Sequence, residues 1–168
     1  MEPTAPPSSR LTLKPSAPAS NPAKYRGPLA GGGLISCIQP EMIDRLDHLV
    51  LTVASISTTL DFYNRALHFE PREKDGRWSL HFGRQKINLH QQNHTFDPKA
   101  AHPTPGSADL CFIATQEIEK ILQHLAEEKI AVEEGPVART GALGPMTSLY
   151  FRDPDGNLIE ISVYDKAS

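Results

Sequence analysis

Leu46-Asp47-His48-Leu49-Val50-Leu51-Thr52-Val53 runs directly into Ala54-Ser55-Ile56-Ser57-Thr58-Thr59-Leu60-Asp61-Phe62-Tyr63-Asn64-Arg65-Ala66-Leu67. The first eight residues are dominated by Leu and Val and predict a strand. The pattern then changes: Ile56, Leu60, Tyr63 and Leu67 recur at the spacing of one helix face, and Ser55, Ser57 or Thr58 can cap its start. Downstream, residues 69–74, 78–82 and 86–91 read as three short strands. Asp75-Gly76 and Gly83 supply the turns between them. The order is β-α-β-β-β.

The same order then returns. Residues 109–114 (Asp-Leu-Cys-Phe-Ile-Ala) predict a strand, and Ile118, Ile121, Leu122 and Leu125 mark a helix over about 116–128. Residues 130–137, 147–152 and 158–163 predict three more strands. Asp153-Pro154-Asp155-Gly156 is a turn signal before the last of them. The 139–146 segment reads as a loop from its Gly and Pro content. The two opening strands start 61 residues apart, and a repeated βαβββ unit is the main structural inference. The expected fold is α+β: paired βαβββ modules forming an open, cup-shaped, eight-stranded sheet.

Strand alternation sorts side chains by face. Leu49, Leu51 and Val53 share the side that packs on the following helix; His48, Val50 and Thr52 take the other. Ile87 and Leu89 oppose Lys86, Asn88 and His90. Leu110, Phe112 and Ala114 oppose Asp109, Cys111 and Ile113, and Ile159 and Ile161 oppose Glu160. The faces away from the helices therefore carry His48, His90, Asp109 and Glu160.

Three runs resemble the vicinal oxygen chelate superfamily, the group of glyoxalase I, fosfomycin-resistance proteins, extradiol dioxygenases and bleomycin-resistance proteins. They are Asp47-His48-Leu49-Val50-Leu51-Thr52-Val53; Phe82-Gly83-Arg84-Gln85-Lys86-Ile87-Asn88-Leu89-His90; and Tyr150-Phe151-Arg152-Asp153-Pro154-Asp155-Gly156-Asn157-Leu158-Ile159-Glu160. The resemblance spans about residues 44–164. It implies that the first and last strands of each module hold one divalent metal. On this chain the implied ligands are His48 and His90 (with Asn88 at the same parity), Asp109, where the family commonly has His, and Glu160. The mixed N/O set suits Zn²⁺, Ni²⁺, Mn²⁺, Fe²⁺ or Co²⁺. Glyoxalase-type chemistry further implies Glu160 as the group that moves the proton. Arg139 and Tyr150 are candidate substrate contacts. The expected function is a metal-dependent, glyoxalase I-like enzyme acting on a small molecule with vicinal oxygens. A metal-free ligand-sequestering protein of bleomycin-resistance type is the alternative. By the same resemblance a homodimer is expected.

Composition bounds the rest. Eight of the 15 prolines fall in residues 1–43, and that head carries four basic residues against two acidic ones. It predicts a disordered N-terminal tail (1–43) ahead of a folded domain (44–168), with modules at about 44–98 and 105–165. The formal net charge is −3, which leaves the domain at −5. That balance argues against a nucleic-acid partner. No apolar run approaches the roughly 18 residues of a membrane span. Cys37 and Cys111 do not make a disulfide framework. A cytoplasmic location is expected, with a mitochondrial or other organellar address as the alternative because the head is acid-poor.

Overall fold

A computed structural model describes residues 42–165. The expected tail lies outside the described residues apart from Met42 and Ile43, which are exposed, and Cys37 lies outside them as well.

The order is β1 (His48–Val53), α1 (Ile56–Leu67), β2 (Glu70–Lys74), β3 (Arg77–Phe82), β4 (Gln85–Gln91), β5 (Asp109–Ile113), α2 (Ile118–Glu127), β6 (Val132–Gly141), β7 (Gly144–Arg152) and β8 (Leu158–Tyr164). The βαβββ unit occurs twice, as the periodicity predicts. The eight strands divide into two four-stranded sheets of identical topology, β1-β4-β3-β2 and β5-β8-β7-β6. In each, the first strand runs parallel to the last and the other pairs are antiparallel. The parallel pairing requires a crossover, and the helix supplies it.

Ser55 is extended (φ −145°, ψ 112°), and its hydroxyl accepts from the Thr58 amide at 3.3 Å, which fixes the start of α1. His68 ends it in the left-handed region (φ 55°), its amide donating to the Asn64 carbonyl at 3.0 Å. Lys129 does the same after α2 (φ 60°), 61 residues further on. Two side-chain-bearing residues thus occupy a position that favours glycine.

The 139–146 segment departs from the expected loop. β6 continues to Gly141 and β7 begins at Gly144, leaving a two-residue tip. Arg139 pairs with Met146 and Thr140 with Pro145 across this ribbon. Gly141 ends the edge strand β6, and Gly144 and Pro145 open β7 directly after the turn, where a strand tolerates both.

The helix-facing sides of both sheets share one core. Leu51, Val53, Leu80, Ile87 and Leu89 from one sheet, and Leu149, Phe151, Ile159 and Ile161 from the other, belong to a single buried cluster with Tyr63, Ala66 and Leu125 of the helices. Phe69 stacks on Phe82 at 4.3 Å, and Phe112 meets both edge-on at 5.3 Å. Because this core consumes the helix side of each sheet, alternation turns the opposite faces outward. Val50 and Ile113, on those faces, are 47% and 52% exposed. Among the described residues no helix is long and apolar enough to cross a membrane.

Candidate functional site

The outward face of the β5-β8-β7-β6 sheet carries a continuous polar network. Register places Tyr150 beside Glu160 and Ser148 beside Ser162 across β7–β8, and Cys111 beside Glu160 across β5–β8. The Tyr150 hydroxyl donates to Glu160 Oε1 at 2.9 Å, and Ser162 Oγ donates to the same oxygen at 3.1 Å. Ser148 and Ser162 hydroxyls are 2.8 Å apart, and Cys111 Sγ lies 3.4 Å from Ser162 Oγ. Arg139 Nε donates to Tyr150 Oη at 3.0 Å, while Arg139 Nη2 pairs with Glu134 at 2.7 Å. Glu160 Oε2 takes no part in these bonds.

The electrostatics follow. Burial alone raises the Glu160 carboxyl, but donors from Ser148, Tyr150, Ser162 and Cys111 outweigh it, so Glu160 titrates below its ordinary value. Burial, then the bond to Glu160, pushes the Tyr150 phenol up. Burial likewise raises the Cys111 thiol, with Glu160 and Asp109 adding to it. Glu160 is therefore an ionised carboxylate held by neutral hydroxyl and thiol donors.

The other sheet presents different chemistry. His48 opens β1, half-exposed, with Nδ1 2.8 Å from Asp47 Oδ2. His90 lies against the edge of Phe96, ring centres 5.4 Å apart, and its Nδ1 is buried without a hydrogen-bond partner. Burial, then Arg77 and Lys99, pushes the His90 imidazole down, toward its neutral form. Asp109 opens β5, exposed, one pleat before Cys111 on the Glu160 side.

Of the residues singled out from sequence, then, Glu160, Tyr150 and Arg139 are brought into one network. Within one chain His48 and His90 stand on the other sheet, and its outward face lies on the far side of the shared core. Among the described residues no three His, Cys, Asp or Glu side chains gather into a group able to hold a metal ion. Parity identified the faces. The Ser148, Ser162 and Cys111 members were missed, although the same parity places all three beside Glu160.

The parallel registers also align the two units with each other. His48 opens β1 as Asp109 opens β5; Val50 pairs with Asn88 as Cys111 pairs with Glu160; Thr52 pairs with His90 as Ile113 pairs with Ser162. The counterpart of Glu160 in the first unit is Asn88, and His90 is the counterpart of Ser162. The four repeat-related positions offer an imidazole (His48), an amide (Asn88) and two carboxylates (Asp109, Glu160). That donor set suits a divalent ion with a preference for oxygen, but only if the two outward faces come from different copies. A single chain does not fit the ion.

A cavity of about 570 Å³ lies elsewhere. Phe69, Phe82 and Phe112 form its apolar wall, with His68, Lys120 and His124 at the rim. Smaller cavities border His90, one of about 450 Å³ and one of about 130 Å³.

Comparison with known proteins matches these features. The family profile for the Glyoxalase/Bleomycin resistance protein/Dioxygenase superfamily matches residues 45–161. The chain is 57% identical over 124 residues to virulence protein STM3117 of Salmonella typhimurium, covering 73% of this chain and 86% of that protein. The crystal structure of that protein matches with a TM-score of 0.73 at 56% identity, over 74% of this chain and 100% of that one. A glyoxalase domain-containing protein, RDO1 of Mycosarcoma maydis, is 52% identical over 122 residues, 73% of this chain and 69% of that protein.

Proposed function

The chain belongs to the glyoxalase/bleomycin resistance protein/dioxygenase superfamily, and on that premise we propose that it is an enzyme acting on a small molecule with adjacent oxygens, at a site completed when two copies pair. The observation that carries this reading is the shared core. It leaves two polar faces outward, each holding half of the repeat-related donor set. In a pair, the first sheet of one copy covers the second sheet of the other, so that His48 and Asn88 meet Asp109 and Glu160 of the partner subunit.

His48 and Asn88, with Asp109 and Glu160 of the partner subunit, would hold a divalent ion, which would supply Lewis acidity. The chain's own groups do the rest. Glu160 is ionised and held through Oε1 by Tyr150 and Ser162, so its free oxygen is aimed without needing to reorganise. That oxygen takes a proton from carbon beside a substrate carbonyl and returns it to the neighbouring carbon. The Tyr150 hydroxyl lies beside the reacting end of the substrate. Arg139 orients Tyr150; its Nε and Nη2 are already engaged, so it acts through the phenol rather than on substrate.

Metal content tests this directly. His48→Ala and Glu160→Gln each lose the metal that the loaded native protein carries. Unfolding and refolding a 1:1 mixture of the two variants restores about one quarter of native occupancy, because half of random pairs are mixed and each mixed pair holds one intact site of two. No recovery in a mixture shown to contain mixed pairs overturns the two-copy site. A protein that pairs but takes up no metal favours the second reading, a metal-free binder of small ligands, which the weak amide donor at Asn88 supports.

A further inference from the structure

The outward face of the first sheet carries a group that the proposed reaction does not use. His90 Nδ1 is buried and has no hydrogen-bond partner, a condition native proteins rarely leave without a ligand or a water. It borders the 450 Å³ cavity together with Lys74, Asp75, Arg77, Lys86 and Asn88. Three cations face one acid there. Lys74, Arg77 and Lys86 form no ion pair among the described residues, unlike Arg65, Arg72, Arg139 and Arg152, which do. Arg77 is held by packing instead, its guanidinium 4.5 Å above the Phe96 ring. The neighbouring 130 Å³ cavity also borders His90, together with His102 and with Lys99, which pairs with Asp97 at 3.5 Å.

A hollow in which three cations without ion pairs face one acid, beside an unpaired imidazole nitrogen, suits negative charge on oxygen. Arg77 and Lys86 stand on adjacent antiparallel strands, β3 and β4. Ser79 pairs with Asn88 between them, so the cations flank the amide that corresponds to Glu160 in the repeat.

We propose that this cavity binds a small oxyanion, a phosphate or a carboxylate, through Arg77, Lys86 and His90. The substrate is accordingly an anion whose charged end rests on the first sheet while its adjacent oxygens reach the Glu160 side. The identification of the bound anion with the substrate's charged end rests on the reading above. The binding itself does not, because every residue of the cavity comes from one copy. Loss of pairing or of metal uptake with anion binding intact sinks that reading alone. Loss of anion binding with metal uptake intact sinks this one.

Trp78 borders the cavity and is the chain's one tryptophan, so its emission reports occupancy. The full chain is titrated at constant ionic strength with inorganic phosphate, with glycolate, and with uncharged ethylene glycol. The expected result is a saturable change in Trp78 emission with phosphate or glycolate and none with ethylene glycol; the stronger of the two anions identifies the source of the charge. Arg77→Gln and Lys86→Gln, both on exposed or half-buried side chains whose loss leaves the core intact, each weaken binding about tenfold. Arg84→Gln, in the β3–β4 turn outside this cavity, leaves it unchanged. Saturation by neither anion overturns the proposal, as does equal weakening by Arg84→Gln, which marks general charge attraction.

Discussion

Tyr63 is buried on α1, and its hydroxyl donates to Asp153 Oδ2 at 3.0 Å. Burial, then Asp153, raises the phenol far above its ordinary value, so Tyr63 stays a neutral donor. Asp153 also accepts from the Asp155 and Asn157 amides and from Asn157 Nδ2. Asp155 in turn accepts from the Ala54 amide, and Asn157 Oδ1 from the Ala108 amide. The Asp153-Pro154-Asp155-Gly156-Asn157 run is therefore a latch that ties the end of β1 and the middle of α1 to the second sheet. Tyr63→Phe should lower unfolding free energy by about 2 kcal/mol, read as a lower urea midpoint with unchanged slope. An unchanged midpoint removes the latch. Glu160 supplies a second prediction at this scale. Its folded pKa lies below the ordinary 4.5, so its hydrogen bonds add stability above the unfolded value, and that contribution is lost as pH falls through the folded one. The difference in melting temperature between native protein and Glu160→Gln should be present at pH 7 and close progressively in acid below about pH 4.5. A gap that persists at low pH shows that the carboxylate's charge is not what the network holds.

The elements themselves were largely legible. Alternation identified strands because each sheet has one buried and one outward face, and the 3.6-residue spacing of Ile56, Leu60, Tyr63 and Leu67 identified α1. The 139–146 end of the β6–β7 ribbon was not, because Gly141, Gly144 and Pro145 carry turn chemistry into what is a hairpin. Gly135, inside the part that reads as a strand, is there for packing. Its φ is +118°, and a Cβ would sit 2.6 Å from the Ser148 carbonyl oxygen and 2.7 Å from Leu149 Cα. Both are backbone atoms of the adjacent strand and cannot yield. The register of β6 against β7 shifts on either side of this point, which sets Glu134 and Arg139 on the same face as Tyr150. Gly135→Ala should destabilise by about 3 kcal/mol. Gly83→Ala, with φ +49° but open space around it, should cost about 1 kcal/mol. Equal losses in chemical denaturation would falsify the packing argument and leave only backbone conformation.

At the scale of the molecule, alternation identified the polar faces, but the direction those faces take depends on which surfaces the core consumes. Nothing in the spacing of His48, His90, Asp109 and Glu160 distinguishes a cup closed within a chain from one closed between chains. The Phe69, Phe82 and Phe112 cluster packs the helix sides of both sheets together, which supports the proposed closure between chains. The outer strands β1 and β5 each pair on one side only, and each shows an exposed branched side chain, Val50 or Ile113. Both side chains stand on the outward faces that the proposed pair brings together, where apolar exposure favours a second copy. Val50→Lys with Ile113→Lys should therefore yield a monomer by sedimentation at micromolar concentration. The melting temperature of that monomer should be lowered only by the loss of pairing, since neither residue belongs to the core. The same variant should lose metal uptake while the Trp78 response to oxyanion survives, because the first depends on two copies and the second on one. A monomer that still takes up metal through His48 and Glu160 would place both on one side of a single chain, against the shared core that turns them apart.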